Sequence, residues 1–195
     1  MSQNPPAKRP VDQLQGMNLY LIGMMGCGKT TTGQRLAQAL NYRFLDTDAV
    51  VTQVTHQSIT EIFDQMGEAG FRDLESRVLS QVSAYQRSVV ATGGGIVLRR
   101  ENWGYLRQGL ILWLDVPVEQ LYQRLQQDTT RPLLQDPDPL GKLKTLLGKR
   151  RSLYAAADLR LEIQSGMAPE TNVNQILMMI PTALKAPPQP PEYSN

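Results

Sequence analysis

Lys29 and Thr30 close the string Gly23-Met24-Met25-Gly26-Cys27-Gly28-Lys29-Thr30, a full G-x-x-x-x-G-K-T pattern. It follows the apolar run Leu19-Tyr20-Leu21-Ile22 and leads into a helical pattern from Thr31 to Leu40. Strand, glycine loop and helix in that order make a cradle for a nucleoside triphosphate. Gly23 permits a tight exit from the strand, and Gly26 and Gly28 let backbone N–H groups approach phosphate oxygens. The helix starting near Lys29 turns its positive end to the same anion. Lys29 is placed to reach the β- and γ-phosphates, and the Thr30 hydroxyl to ligate Mg²⁺. Gly26, Cys27, Gly28, Lys29, Thr30 and Thr31 are therefore the expected nucleotide-binding span.

Five further groups of residues have chemical potential. Asp46-Thr47-Asp48 ends the second strand-like run, beside the loop in a parallel sheet. One carboxylate there suits the Mg²⁺ shell and the other an acceptor hydroxyl; the competing use is Asp48 as a helix cap. Arg72 lies off the apolar stripe Phe71, Leu74, Val78, Val82 and Tyr85, with Glu68 and Glu75 in reach to brace it. Taken alone, that helix favours a solvated ion pair. Thr92-Gly93-Gly94-Gly95 follows the third strand, where bare backbone suits a ligand lying against it. Residues 126–139, with Arg131-Pro132-Leu133-Leu134, read as a long mobile loop whose Arg124 and Arg131 could fold over phosphates. Lys149-Arg150-Arg151 reads by itself as a solvated, dipole-favoured helix end. His56 has no metal-ligand spacing around it, and Cys27 sits where a helix N-terminus and Lys29 favour a thiolate.

The elements that must position these groups alternate along the chain. Strands are expected at residues 18–22, 43–45, 88–91, 110–114 and 159–163, mostly as short continuous apolar runs. Helices are expected at 29–40, across 48–86, and at 100–108, 118–127, 140–157 and 172–180. That order predicts an α/β fold with a parallel five-stranded sheet and ligands at the strands' carboxyl ends. Residues 1–16 and 185–195 lack core periodicity and are expected to be disordered tails; the latter carries a formal P-x-x-P.

At 195 residues with 41% apolar and 19% charged, the composition suits one soluble domain. A net charge of +2 predicts no broad basic surface for nucleic acid or membrane. The single cysteine excludes an internal disulfide, no apolar run is membrane-spanning, and the first residues lack a signal-peptide core. A cytoplasmic protein is the expectation.

In sequence order these segments resemble the shikimate kinase family, within the nucleoside monophosphate kinase structural group. The resemblance covers about residues 17–181 and rests on G-x-x-x-x-G-K-T, F-L-D-T-D, F-R-x-x-E, G-G-G, R-P-L-L and K-R-x-x-L-Y together. It implies a three-layer sandwich of P-loop kinase type in a single domain, 17–184. A helical substrate-binding insertion is expected at about 46–86 and a mobile lid at about 126–139. It implies that Lys29, Asp48 and Arg131 are catalytic, Thr30 and Asp46 hold Mg²⁺, and ATP is the phosphate donor. Asp48, Arg72, Gly94 and Arg150 would bind shikimate, with the two arginines on its carboxylate and Phe63 and Phe71 as the apolar wall. Arg124 and Pro169 would flank the adenine. The resemblance thereby replaces the solvated readings of Arg72 and Arg150. It implies a monomer that makes shikimate 3-phosphate. Cys27 departs from the small hydroxyl residues common at its position and leaves redox control open.

Three other readings compete with this one. A gluconate or nucleotide kinase of the same fold is weakened by the combined F-R-D-L-E and K-R-R-S-L-Y strings. A GTP-driven switch would read guanine through N-K-x-D, which the sequence lacks. An inactive relative would have lost a reacting residue, and every matched position is filled.

Overall fold

Five parallel strands run in the order β2-β3-β1-β4-β5 in the computed structural model, which describes residues 10–126 and 138–184. The strands are β1 (Leu19–Ile22), β2 (Arg43–Asp46), β3 (Ser88–Ala91), β4 (Leu110–Asp115) and β5 (Leu159–Glu162). β1, β3 and β4 are buried at every position, as expected where helices cover both faces of a sheet. Edge strand β5 instead alternates, with Leu159 and Leu161 inward and Arg160 and Glu162 exposed. The charged pair also blunts an unpaired edge.

The helices are α1 (Pro10–Leu14), α2 (Lys29–Leu40), α3 (Thr47–Thr55), α4 (Ile59–Ser83), α5 (Arg100–Leu106), α6 (Val118–Leu125), α7 (Pro139–Tyr154) and α8 (Pro169–Ala183). α2 packs on α8 and β3, while α3–α4, α4–α5 and α6–α7 pack as pairs. Asn41 ends α2 in a left-handed conformation, and its N–H satisfies the Ala37 and Gln38 carbonyls. Ser58 and Glu61 form a reciprocal capping box at the start of α4. Gly67, at φ 67°, breaks α4 and separates the turns carrying Phe63 from those carrying Phe71 and Arg72.

Register sets the working edge. Leu21 lies opposite Ala91, and Ala91 opposite Asp46. The phosphate loop, the Asp46-Thr47-Asp48 run and the glycine turn therefore all leave the sheet at one level.

Two expectations need correction. Structure begins earlier than residue 17: Pro10–Leu14 is helical and packs on α8, with Leu14 fully buried. Leu14 and the half-buried Val11 pack this segment on the core, a tertiary contact with no local periodicity to announce it. Tyr85 is 49% exposed beyond the end of α4 and does not extend the apolar stripe. Residues 1–9, 185–195 and 127–137 lie outside the described residues, and with them the remaining tails and most of the expected lid.

Candidate active site

Gly23, Gly26 and Gly28 all have positive φ, at 141°, 75° and 95°, so the loop needs glycine at these corners. Gly23 has a steric reason as well, since a Cβ there would stand 2.7 Å from the Leu114 carbonyl. α2 starts at Lys29 without a side-chain cap, an arrangement that suits an anion at its first N–H groups. Lys29 Nζ donates to the Gly23 and Met24 carbonyls, each at 2.9 Å, and lies 3.7 Å from Cys27 Sγ. The ammonium is thus already held over the loop. Cys27 itself is buried beneath it.

Asp46 has two uses. Its Oδ2 accepts the Thr30 hydroxyl at 2.7 Å, and its Oδ1 accepts the N–H groups of Asp48 and Ala49. Asp46, not Asp48, is therefore the cap of α3. The capping reading of Asp48 is thereby corrected. Thr30 and Asp46 form a pair of hard oxygen donors at the loop, a set that fits Mg²⁺, which takes one or two protein ligands and completes its shell with phosphates and water. No larger cluster of His, Cys, Asp and Glu stands ready for a metal among the described residues.

Each glycine of the turn accommodates a different neighbour. A Cβ on Gly93 would collide with Glu75 Oε1 and come within 2.9 Å of Asp48 Oδ1. On Gly94 it would crowd the phosphate loop, 3.4 Å from Met25 N and 3.5 Å from the Gly23 carbonyl. On Gly95 it would overlap the Arg72 guanidinium. Beyond the ligand approach expected from the sequence, the bare backbone admits the site's own side chains. Thr47 ties the turn down, accepting the Gly93 N–H at 3.0 Å.

Arg72 Nη1 donates to Glu75 Oε2 at 2.7 Å and Nη2 to Glu68 Oε1 at 3.2 Å. Its guanidinium also lies 5.3 Å from the Phe71 ring, which stacks on Phe63 at 4.6 Å. Burial works against the Arg72 charge, but the neighbouring Glu75 and Glu68 outweigh it and raise its pKa. Glu75 is fully buried, and burial pushes its carboxyl up, Arg72 pulls it down and Asp48 adds to the rise. This pair is no solvated surface bridge.

Arg150 is likewise buried, at 7% exposure, and its Nη1 donates to the Gly94 carbonyl at 3.2 Å. Its neighbour Arg151 turns the other way, to Asp115, and stays half exposed. The basic run thus divides: Lys149 and Arg151 keep a solvated character, and Arg150 does not. Arg72 and Arg150, distant in sequence, converge on Gly94 and Gly95.

A sequence model of the shikimate kinase family matches residues 25–181. Shikimate kinases from Nostoc sp. and Synechococcus elongatus are 62% and 52% identical over 172 and 175 residues. The alignments cover 88% and 90% of this chain, and 95% and 92% of those proteins.

The chain belongs to the shikimate kinase family. It is an ATP-dependent phosphotransferase of the shikimate pathway. A solved shikimate kinase from Acinetobacter baumannii, described in complex with shikimate, superposes with a TM-score of 0.84 at 38% identity. That match covers 89% of this chain and 97% of the other. A gluconokinase from Sinorhizobium meliloti, at TM-score 0.56 and 16% identity, shares the fold alone.

Within this shikimate kinase frame, the phosphate loop, Asp46, Asp48, Arg72, Gly94 and Arg150 gather at one sheet edge. Arg124 Nη1 reaches the loop from α6, donating to the Gly26 carbonyl at 3.3 Å. Pro169 starts α8 and is half-buried. Arg131 lies outside the described residues. Sequence reasoning missed the seat of Glu75 beside Asp48, the tie from Thr47 to Gly93, and Tyr154, whose hydroxyl donates to the Gly94 carbonyl. Glu75 and Tyr154 end the strings F-R-D-L-E and K-R-R-S-L-Y, so the signal for both was present.

Proposed function

We propose that the chain transfers the γ-phosphate of ATP to the 3-hydroxyl of shikimate, yielding shikimate 3-phosphate and ADP. The convergence of Arg72 and Arg150 on the glycine turn beside Asp48 carries this reading. A small polyol acid suits such a set: guanidinium forks for the carboxylate, and a carboxylate and backbone N–H groups for hydroxyls. The Acinetobacter baumannii relative described with shikimate supports the choice of acid.

In this reading Asp48 accepts the proton of the attacking hydroxyl as the new O–P bond forms. The bond from the γ-phosphorus to the bridging oxygen breaks, and ADP leaves with that electron pair. Lys29 exchanges its two loop carbonyls for phosphate oxygens, and Arg124 and Arg131 add positive charge from the α6 side. Thr30 and Asp46 would hold Mg²⁺, which neutralises phosphate charge. Phe63 and Phe71 wall the acceptor side, and Pro169 flanks the adenine. Every group named comes from one chain, in keeping with a monomer, and the single cysteine suits the reducing cytoplasm.

A coupled ADP-release assay with Mg²⁺ and ATP tests the reading. Turnover is expected with shikimate and not with gluconate or nucleoside monophosphates. Comparable turnover with gluconate, or none with shikimate, refutes it.

A further inference from the structure

Tyr154 is the last residue of α7, fully buried, with its ring stacked on Trp113 at 5.9 Å. A phenol at this depth needs a partner for its hydroxyl. It donates to the Gly94 carbonyl at 2.5 Å and lies 3.7 Å from Met24 Sδ in the phosphate loop. Burial pushes the phenol far above its ordinary range, so the hydroxyl keeps its proton and remains a donor.

The same carbonyl accepts Arg150 Nη1. Two donors from α7 therefore set the direction of one peptide group. That peptide is planar and trans, so holding the Gly94 oxygen sends the Gly95 N–H the opposite way. Among the described residues, neither Gly94 nor Gly95 spends its N–H on a backbone partner, although Gly95 is buried. A buried N–H without a backbone partner, as at Gly95, suits an acceptor from outside the chain in a ligand-side turn. Arg150 has a second duty in the proposed function, toward the substrate carboxylate. Tyr154 has none.

We propose that Tyr154 is a positioning residue for the acceptor substrate, holding the Gly94–Gly95 peptide with its N–H available to a substrate hydroxyl. The hold persists when the Arg150 fork turns to a carboxylate. It also joins the substrate turn to the phosphate loop through Met24. This inference rests on the shikimate reading above.

Tyr154→Phe removes the donor but keeps the ring and its stack on Trp113, and the Gly94 oxygen retains Arg150. One hydrogen bond is worth about 0.5–1.5 kcal/mol, so the shikimate KM should rise about two- to tenfold. The ATP KM should stay within about twofold, and calorimetric titration of shikimate without nucleotide should weaken by the same factor as its KM. A purely structural role would lower the melting temperature and leave the shikimate KM unmoved, or raise both KM values together. Either result overturns the inference. The parent protein is run in the same assays: no shikimate binding or turnover there refutes the functional reading itself, whereas an active parent with an unchanged variant refutes only the role of Tyr154.

Discussion

The Thr30 hydroxyl donates to Asp46 Oδ2 at 2.7 Å, joining the first turn of α2 to the end of β2 across sixteen residues of sequence. The other oxygen of Asp46 caps α3, the helix that carries Asp48. One side chain thus links the proposed metal position to the proposed base.

Asp46→Asn separates these duties. Asparagine caps a helix about as well as aspartate, so thermal unfolding should change little, whereas Asp46→Ala should cost a further ~1 kcal/mol. Both variants lose the anionic ligand, and the Mg²⁺ concentration for half-maximal activity should rise. A Mg²⁺ titration at fixed ATP beside a melting curve decides it. An unmoved Mg²⁺ requirement in both would leave Asp46 as a cap alone.

Asp48→Asn keeps the size of the side chain and removes the acceptor for the hydroxyl proton. Turnover should fall by roughly 10²–10⁴, the usual span for a lost general base. Steady-state kinetics with both substrates provide the check. Retained turnover with only a weakened ATP KM would assign Asp48 to the nucleotide side.

Arg72 and Arg150 should act on the same substrate group. Replacing either with Ala or Lys should weaken shikimate binding about ten- to a hundredfold, the value of a charge-assisted contact of roughly 1.5–3 kcal/mol. ADP binding should be nearly unchanged. Lysine keeps the charge without the planar fork and should not restore affinity. Separate calorimetric titrations of shikimate and ADP would show the opposite pattern if these arginines served the nucleotide.

Glu75 predicts a pH dependence of stability. Burial is the main cause that lifts its folded pKa above the ordinary glutamate value of 4.5. Between those two values the folded chain binds more protons than the unfolded one, so stability falls as pH rises through the window. Below and above the window this contribution is flat. Glu75→Gln resembles the protonated carboxyl, so its melting temperature should show a flatter profile from pH 4.5 upward than the parent's. Melting temperatures across a pH series test this. An identical slope in parent and variant would assign the dependence to other groups.

Much of the framework was legible because its local and global demands agree. Leu19–Ile22 and Ser88–Ala91 read as strands since a sheet covered on both faces needs unbroken apolar runs. Lys29–Leu40 read as a helix from the glycine loop before it and its apolar periodicity. Pro10–Leu14 did not, because five residues cannot declare a helix and its stability comes from burying Leu14. Arg72 by itself read as a surface ion pair, since i,i+3 and i,i+4 spacing is the same in water and in a cleft.

The sequence alone determined the phosphate loop, the alternation of strands and helices, and the ordered set of strings that identifies the family. Those features are local, written in glycine placement, apolar runs and spacing. Only the tertiary structure decided that Asp46 and not Asp48 caps α3, that Glu75 is buried against the glycine turn, and that Arg72 and Arg150 meet there. Burial and convergence depend on how β1, β2 and β3 align at one edge and on which side of α4 and α7 faces it. No window of sequence contains that alignment, because the residues it joins lie tens of positions apart and meet only once the sheet has formed.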